Sequence, residues 1–169
     1  PSENRNPEKK FEKEHLPNAT FFDLDKNSKQ DTDLPHMLPK EDVWNEIVSK
    51  LGISKKDRII VYDNSDVNSA CRCWYNFIYF GHNPKLVSVL DGGFKKWKKE
   101  GKQISNKIIN FSKTNYLGKE INILVKDKNK IDENINKNQF IVIDARSRDR
   151  FEGKVPDQRR NVRSGSKPN

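Results

Sequence analysis

A run of β-favouring residues, Ile59-Ile60-Val61-Tyr62, ends at Asp63 and opens into a polar loop carrying Asn64, Ser65, Asp66, Asn68 and Ser69. Cys71, Arg72 and Cys73 follow at once. In α/β proteins a strand that gives way to such a loop and then to a helix is where ligands and reactive groups collect. A thiol near a helix start is drawn toward the thiolate, so Cys71 invites a reading in sulfur chemistry. Cys73 does not, because it shares its helix side with Trp74, Phe77 and Ile78, the setting of an inert buried thiol. Two residues apart on a helix, the cysteines point to different sides and cannot bridge. With no third cysteine in the chain, disulfide scaffolds and cysteine zinc sites are excluded. A phosphatase-type Cys-x5-Arg loop is absent, since Arg72 follows Cys71 directly. Arg72 is read instead as a brace for the loop, through Asp63 or Asp66.

The elements that must position this junction are patterned around it. Pro39 is expected to open a helix at its first position, with Glu41 and Asp42 in the first turn, where the helix dipole favours acids. Val43, Trp44, Ile47, Val48 and Leu51 then make one apolar face, and Gly52 stands where a helix would be capped. A helix is expected over residues 69–80, a strand over 85–90, and a tight turn at Asp91-Gly92-Gly93 into a helix that stops at Gly101. Helix, strand, helix, strand, helix in this order implies a parallel α/β sheet with crossover helices. Ahead of it, residues 1–13 read as loop or exposed helical turn, and Thr20-Phe21-Phe22-Asp23 as a short strand. After it, residues 102–119 turn rich in Lys, Ser, Asn and Thr and read as a linker. Residues 121–138 read as a weak helix, and Phe140-Ile141-Val142-Ile143-Asp144 as another buried strand.

Composition narrows the function class. The chain has 169 residues, with 33 Lys and Arg against 24 Asp and Glu, a formal net charge of +9. The lysines are scattered among acids, as in Lys95-Lys96-Trp97-Lys98-Lys99-Glu100, and no basic stripe with interleaved aromatics points to nucleic acid. A field that attracts small anions fits this charge better. No apolar run approaches transmembrane length.

The motifs Asp33-Leu34-Pro35-His36-Met37-Leu38-Pro39, Val61-Tyr62-Asp63, Ser69-Ala70-Cys71-Arg72, Phe80-Gly81-His82 and Leu90-Asp91-Gly92-Gly93 occur in order along the chain. They are followed by Ile143-Asp144-Ala145-Arg146-Ser147, Arg150-Phe151 and Arg163-Ser164-Gly165. Any one of them is a weak signal. Together, over residues 11–165, they resemble the tandem-domain rhodanese family of 3-mercaptopyruvate/thiosulfate sulfurtransferases.

That resemblance implies an α/β fold: a rhodanese-like parallel sheet flanked by helices, with an incomplete second rhodanese-like domain. Residues 1–101 would be the first domain, non-catalytic and without its first strand. Residues 102–138 would be a linker and weak helix, and 139–169 the start of the second domain, ending before its cysteine loop. The implied activity moves sulfane sulfur from 3-mercaptopyruvate or thiosulfate to a thiol or cyanide through a cysteine persulfide. No metal or organic cofactor, nucleic acid or membrane is implied, and the expected location is cytoplasmic, or mitochondrial in a eukaryote. Asp63 stands where the second domain would carry its cysteine, so the chain by itself is expected to be inactive. The alternative is a non-catalytic rhodanese-like binding module.

The resemblance also assigns roles. Arg150 and Arg159 match positions that bind the mercaptopyruvate carboxylate, where a guanidinium gives a bidentate grip. Otherwise they are solvated arginines, the reading preferred for Arg160 and Arg163. Asp25 and His36 match a first-domain acid and histidine proposed to polarise the cysteine-loop serine, a usual proton-handling pair. Otherwise Asp25 caps a turn and His36 bonds backbone. His15 and His82 are read as turn caps.

Overall fold

Trp44 and Val48 lie one helical turn apart on α2 (Glu41–Lys50), and both are fully buried. Around them the chain gathers aromatic side chains, because large rings supply most of the apolar area a small core can remove from water. Trp44 stacks on Phe80 at 4.9 Å and 13°, and meets Phe77 edge-on at 5.0 Å and 74°. Cys73, Tyr79, Val87 and Tyr116 complete the buried cluster. The computed structural model describes residues 6–64 and 69–156. Asn6–Val125 forms one compact unit, and the described residues from Lys126 onward belong to another.

In the larger unit, β1 (Ile59–Val61) and β2 (Val87–Val89) pair in parallel, with Ile59 opposite Val87 and Val61 opposite Val89. Leu90 N–H extends the ladder to Val61 O at 2.9 Å. Helix α3 (Ser69–Tyr79) makes the crossover and packs on both strands. This is the parallel α/β arrangement that the order of elements implies. Helix α4 (Gly93–Lys99) follows β2 after the turn at Asp91 and Gly92. Ahead of these elements, α1 (Pro7–Lys13) is capped by Asn6, whose side chain accepts from Lys9 N–H at 3.0 Å.

Two expectations need adjustment here. Pro39 does not open α2: Lys40 takes the extended cap conformation, and its carbonyl accepts the first helical bond from Trp44 at 2.9 Å. Residues 20–23 form no strand. Phe21 packs on Phe11 and Phe22 on Trp44, while the Asp23 carboxylate accepts from Lys26 N–H and turns the chain.

The stretch read as a linker is fastened to the larger unit over its first part. Asn45 bonds both the N–H and the carbonyl of Gly118, at 2.7 and 3.2 Å, and Thr114 and Tyr116 donate to the backbone and hydroxyl of Ser49. Lys119 and Ile121 N–H donate to Phe80 and Tyr79 carbonyls, at 3.0 and 2.8 Å. These bonds turn residues 114–121 into a strap over α2 and the end of α3.

In the smaller unit, α5 (Lys128–Lys137) starts at Asp127, whose carboxylate accepts from Lys130 N–H at 2.8 Å. It ends at Asn138 in the left-handed conformation. The weak helix of the sequence is therefore shorter and properly capped. Phe140-Ile141-Val142-Ile143-Asp144 is not a buried strand: it pairs with no strand among the described residues, and Ile141 and Ile143 are 89% and 83% exposed. A β-favouring run without a neighbour has nothing to supply its ladder bonds.

Candidate functional site

The junction after β1 is closed by Asp63. Its carboxylate accepts from Ala70 N–H at 3.2 Å and from Ser69 Oγ at 3.3 Å, so it caps the first turn of α3. Its carbonyl accepts from Phe94 N–H at 3.0 Å, tying the loop to α4. Gly93 has φ of +54°, and a Cβ there would stand 2.9 Å from the Asp63 carbonyl oxygen, so that close approach requires glycine. A carboxylate at a helix start takes up the donors and the positive dipole end that a thiolate or an anionic donor would otherwise use.

Beside this cap lies a cleft of about 510 Å³ lined by Asp63, Asn64, Cys71, Asp91, Phe94 and Lys98, among others. Cys71 is exposed at its edge. Cys73 is 7% exposed, and burial pushes its thiol up to about 12, so it stays protonated and unreactive. Arg72 does not bond Asp63. Its Nη2 donates to the backbone carbonyl of His36 at 2.5 Å, and its guanidinium lies 6.0 Å from the Tyr75 ring. The other brace expected for it, Asp66, lies outside the described residues, as do Ser65 and Asn68.

Asp25 and His36 are brought together. His36 Nε2 donates to Asp25 Oδ1 at 2.6 Å, with both side chains open to solvent. The loop between them is built for this. Gln30 donates to the carbonyls of Asp25, Lys26 and Ser28, Ser28 Oγ donates to Leu24 O, and Lys29 N–H donates to Met37 O at 2.9 Å. His36 itself has φ of +57°. The ring therefore bonds a carboxylate and not the backbone. An exposed pair of this kind adds little to stability, so its geometry matters for what it presents.

His15 and His82 do more than cap turns. His15 is buried, stacked on Phe11 at 4.1 Å, with its ring nitrogens 2.6 and 3.2 Å from the carbonyls of Phe11 and Lys107. His82 is equally buried, between Asp57 and Tyr116.

In the smaller unit, Arg150 lies in α6 (Arg148–Phe151), half-buried. Arg146 grips the Asp144 carboxylate through Nε and Nη2, at 2.9 and 2.6 Å. That grip, with the charge of Arg150 adding to it, holds Asp144 below the usual carboxylate range. Arg159, Arg160 and Arg163 lie outside the described residues. No group of three or more metal-ligating side chains occurs among the described residues, and none of their helices is long and apolar enough to cross a membrane.

The contact that sequence reasoning missed is Arg72 to His36, 36 residues apart with a backbone carbonyl as acceptor. No residue type marks such a partner. Gln30, which fastens the loop carrying Asp25, also gave no signal beyond lying in a polar stretch.

Comparison with known proteins bears on this arrangement. Residues 3–100 match the rhodanese-like domain family. A mitochondrial thiosulfate/3-mercaptopyruvate sulfurtransferase of Arabidopsis thaliana is 36% identical over 99% of this chain and 49% of its own length. The 3-mercaptopyruvate sulfurtransferase of Mus musculus is 34% identical over 99% of this chain and 57% of its own. The chain thus spans about half the length of the curated relatives it matches. The crystal structure of SseA from Escherichia coli, described with the catalytic mechanism of 3-mercaptopyruvate sulfotransferases, superposes with a TM-score of 0.83 at 28% identity. That match covers 98% of this chain and 62% of that one. Tum1 of Saccharomyces cerevisiae gives 0.77 at 28% identity, over 90% and 52%.

Proposed function

The chain belongs to the rhodanese-like domain family, and from that premise we propose that it is the first domain and the beginning of the second of a 3-mercaptopyruvate/thiosulfate sulfurtransferase. Residues 1–101 are the non-catalytic first domain, 102–138 the connection, and 139–169 the start of the catalytic one. The observation that carries this reading is the filling of the first-domain loop. Asp63 caps α3 where a persulfide cysteine would need those donors, and the thiol of Cys73 is locked in the core.

The reaction attacks the donor sulfur with a cysteine thiolate. With thiosulfate, the S–S bond breaks and sulfite leaves with its electron pair. With 3-mercaptopyruvate, the C–S bond breaks, and the proton once on sulfur ends on the departing carbon as pyruvate forms. The persulfide then yields its outer sulfur to a thiol or cyanide, and the thiolate returns. Asp25 orients the His36 ring for proton handling in this sequence. Arg150 and Arg159 hold the donor carboxylate, since a guanidinium matches a carboxylate with two parallel bonds. No metal or organic cofactor takes part.

The test has two arms. The 169-residue chain given thiosulfate and cyanide, or 3-mercaptopyruvate and a thiol, should form no more thiocyanate or sulfide than its Cys71→Ser/Cys73→Ser variant. Turnover that depends on Cys71 would overturn the assignment of a non-catalytic first domain. In the protein that joins these residues to a cysteine loop, His36→Asn and Asp25→Asn should lower kcat, and Arg150→Ala should raise KM for 3-mercaptopyruvate more than for thiosulfate. Unchanged kinetics in all three would remove the site roles. A protein that binds donor without any turnover would favour the non-catalytic binding module, for which the open cleft beside Lys95 and Lys98 provides room.

A further inference from the structure

We propose that Arg72 is the positioning residue of the Asp25–His36 pair: it holds the His36 backbone in the one conformation that delivers the imidazole to Asp25. The inference rests on reading that pair as the proton-handling group, and it concerns how the pair is kept in place.

His36 is one of three non-glycine residues with positive φ among the described residues, at +57°. An L side chain enters this region only when its surroundings require it, because Cβ then crowds the following carbonyl oxygen. Two bonds supply the requirement. Lys29 N–H donates to Met37 O at 2.9 Å and closes the loop from one side. Arg72 Nη2 donates to His36 O at 2.5 Å from the other, out of the first turn of α3. With the His36 carbonyl fixed by the guanidinium and the next one fixed by Lys29, the peptide plane between them cannot rotate. The Cα–Cβ bond of His36 then points the ring at Asp25, which it reaches at 2.6 Å.

Arg72 is itself held. Its guanidinium lies 6.0 Å from the Tyr75 ring, one turn further along α3, and Tyr75 Oη donates to Leu124 O at 2.5 Å. Arg72 Nε is buried and meets no acceptor among the described residues, so the His36 carbonyl is where this side chain is polar-anchored. A planar guanidinium can lie near an aromatic ring and donate at its edge together, which suits arginine to this place. Helix α3 is thereby coupled to the loop that carries Asp25 and His36.

The experiment is NMR on the isotopically labelled 169-residue chain, whose three histidines give three ring signals. The buried rings of His15 and His82 serve as internal references. The variants are Arg72→Met, which removes every donor, Arg72→Lys, which keeps a charged donor group, and Asp25→Asn, which breaks the pair directly. In Arg72→Met, the His36 Cα and Cβ shifts should leave left-handed values. Its ring signal should move to the place found in Asp25→Asn, with His15, His82 and the melting temperature unchanged. Arg72→Lys should return His36 toward its original shifts. Unchanged His36 shifts in Arg72→Met would overturn the proposal. Should Arg72→Met also disturb His15 and His82, Arg72→Lys decides: His36 in place in a folded protein supports it, and His36 displaced in a folded protein overturns it. These readouts report geometry and not sulfur transfer, so they can fail while the sulfurtransferase reading holds, and the reverse.

Discussion

The imidazole of His82 lies 3° from parallel with the Tyr116 ring, and its Nδ1 is 3.1 Å from Tyr116 Oη. Nε2 faces the carbonyl of Asp57 at 3.0 Å, and a carbonyl only accepts, so Nε2 carries the proton and Nδ1 accepts from the phenol. The neutral ring thus joins the strap that carries Tyr116 to the turn ahead of β1. Burial lowers the pKa of His82, and the nearby charge of Lys55 adds to that. A depressed pKa in the fold means that the unfolded chain binds the proton more readily. The stability supplied by neutral His82 is therefore fully present above the ordinary value of 6.5 and is lost as pH falls through the lower folded value. Urea unfolding between pH 7.5 and 5 should show a falling midpoint, and His82→Gln should flatten that dependence. A midpoint equally steep in the variant would assign the effect to other groups.

Gly52 and Gly101 form a matched pair for measuring how firmly Phe111 is seated against the end of α2. Both have positive φ, +74° and +65°. A Cβ at Gly101 meets nothing within 4 Å, whereas one at Gly52 would stand 2.3 Å from Phe111 Cβ. Gly101→Ala should cost only the left-handed conformation, about 1–2 kcal/mol. Gly52→Ala should cost that and about 1–3 kcal/mol more for overpacking against Phe111. Thermal melts of the two variants check the difference, and equal losses would mean that residue 111 moves aside freely.

Trp44 tests whether the aromatic cluster is the true core. It is fully buried and touches Phe22, Phe77 and Phe80 in different geometries. Trp44→Ala should lose about 3–5 kcal/mol, the usual cost of emptying a large aromatic site. The exposed Val43, its neighbour in sequence, should lose under about 0.5 kcal/mol as Val43→Ala. Chemical denaturation followed by tryptophan-independent circular dichroism reads both.

The parts of this fold that could be read ahead of the structure are those whose cause is local. The spacing of Trp44, Val48 and Leu51, the β-branched run at Ile59 and the glycines at 81 and 92 each carry their own signal. What could not be read depends on partners. Ile141 and Ile143 have strand propensity, but a strand exists only against a neighbour. Residues 114–121 look like a loose linker by composition because they are held through backbone groups, to Ser49, Asn45, Tyr79 and Phe80, that composition does not record. Asp25 and His36 are legible only through resemblance, since they stand eleven positions apart across a polar loop without periodicity. Nearness in sequence suggests Asp63 or Asp66 as the partner of Arg72, yet Asp63 is already used by the start of α3, and Asp66 lies outside the described residues.

The two cysteines should separate cleanly in reactivity, and this tests the claim that the first-domain cleft holds no persulfide nucleophile. Cys71 is exposed and Cys73 is buried two residues later on the same helix. Burial pushes the Cys73 thiol up to about 12, so at pH 8 it offers almost no thiolate, and its packing among the core residues blocks access besides. A disulfide reagent should therefore titrate one thiol in the native chain and two in denaturant, with the native equivalent abolished by Cys71→Ser. After incubation with thiosulfate, mass spectrometry should find no added sulfur on either residue. The Asp63 carboxylate already takes Ser69 Oγ and Ala70 N–H, donors at the start of α3 that a persulfide anion would otherwise use. A mass gain of one sulfur on Cys71 would show that the cleft can still carry the reaction's intermediate. Asp63→Ala would then be expected to increase that gain, by releasing the helix start to the new anion.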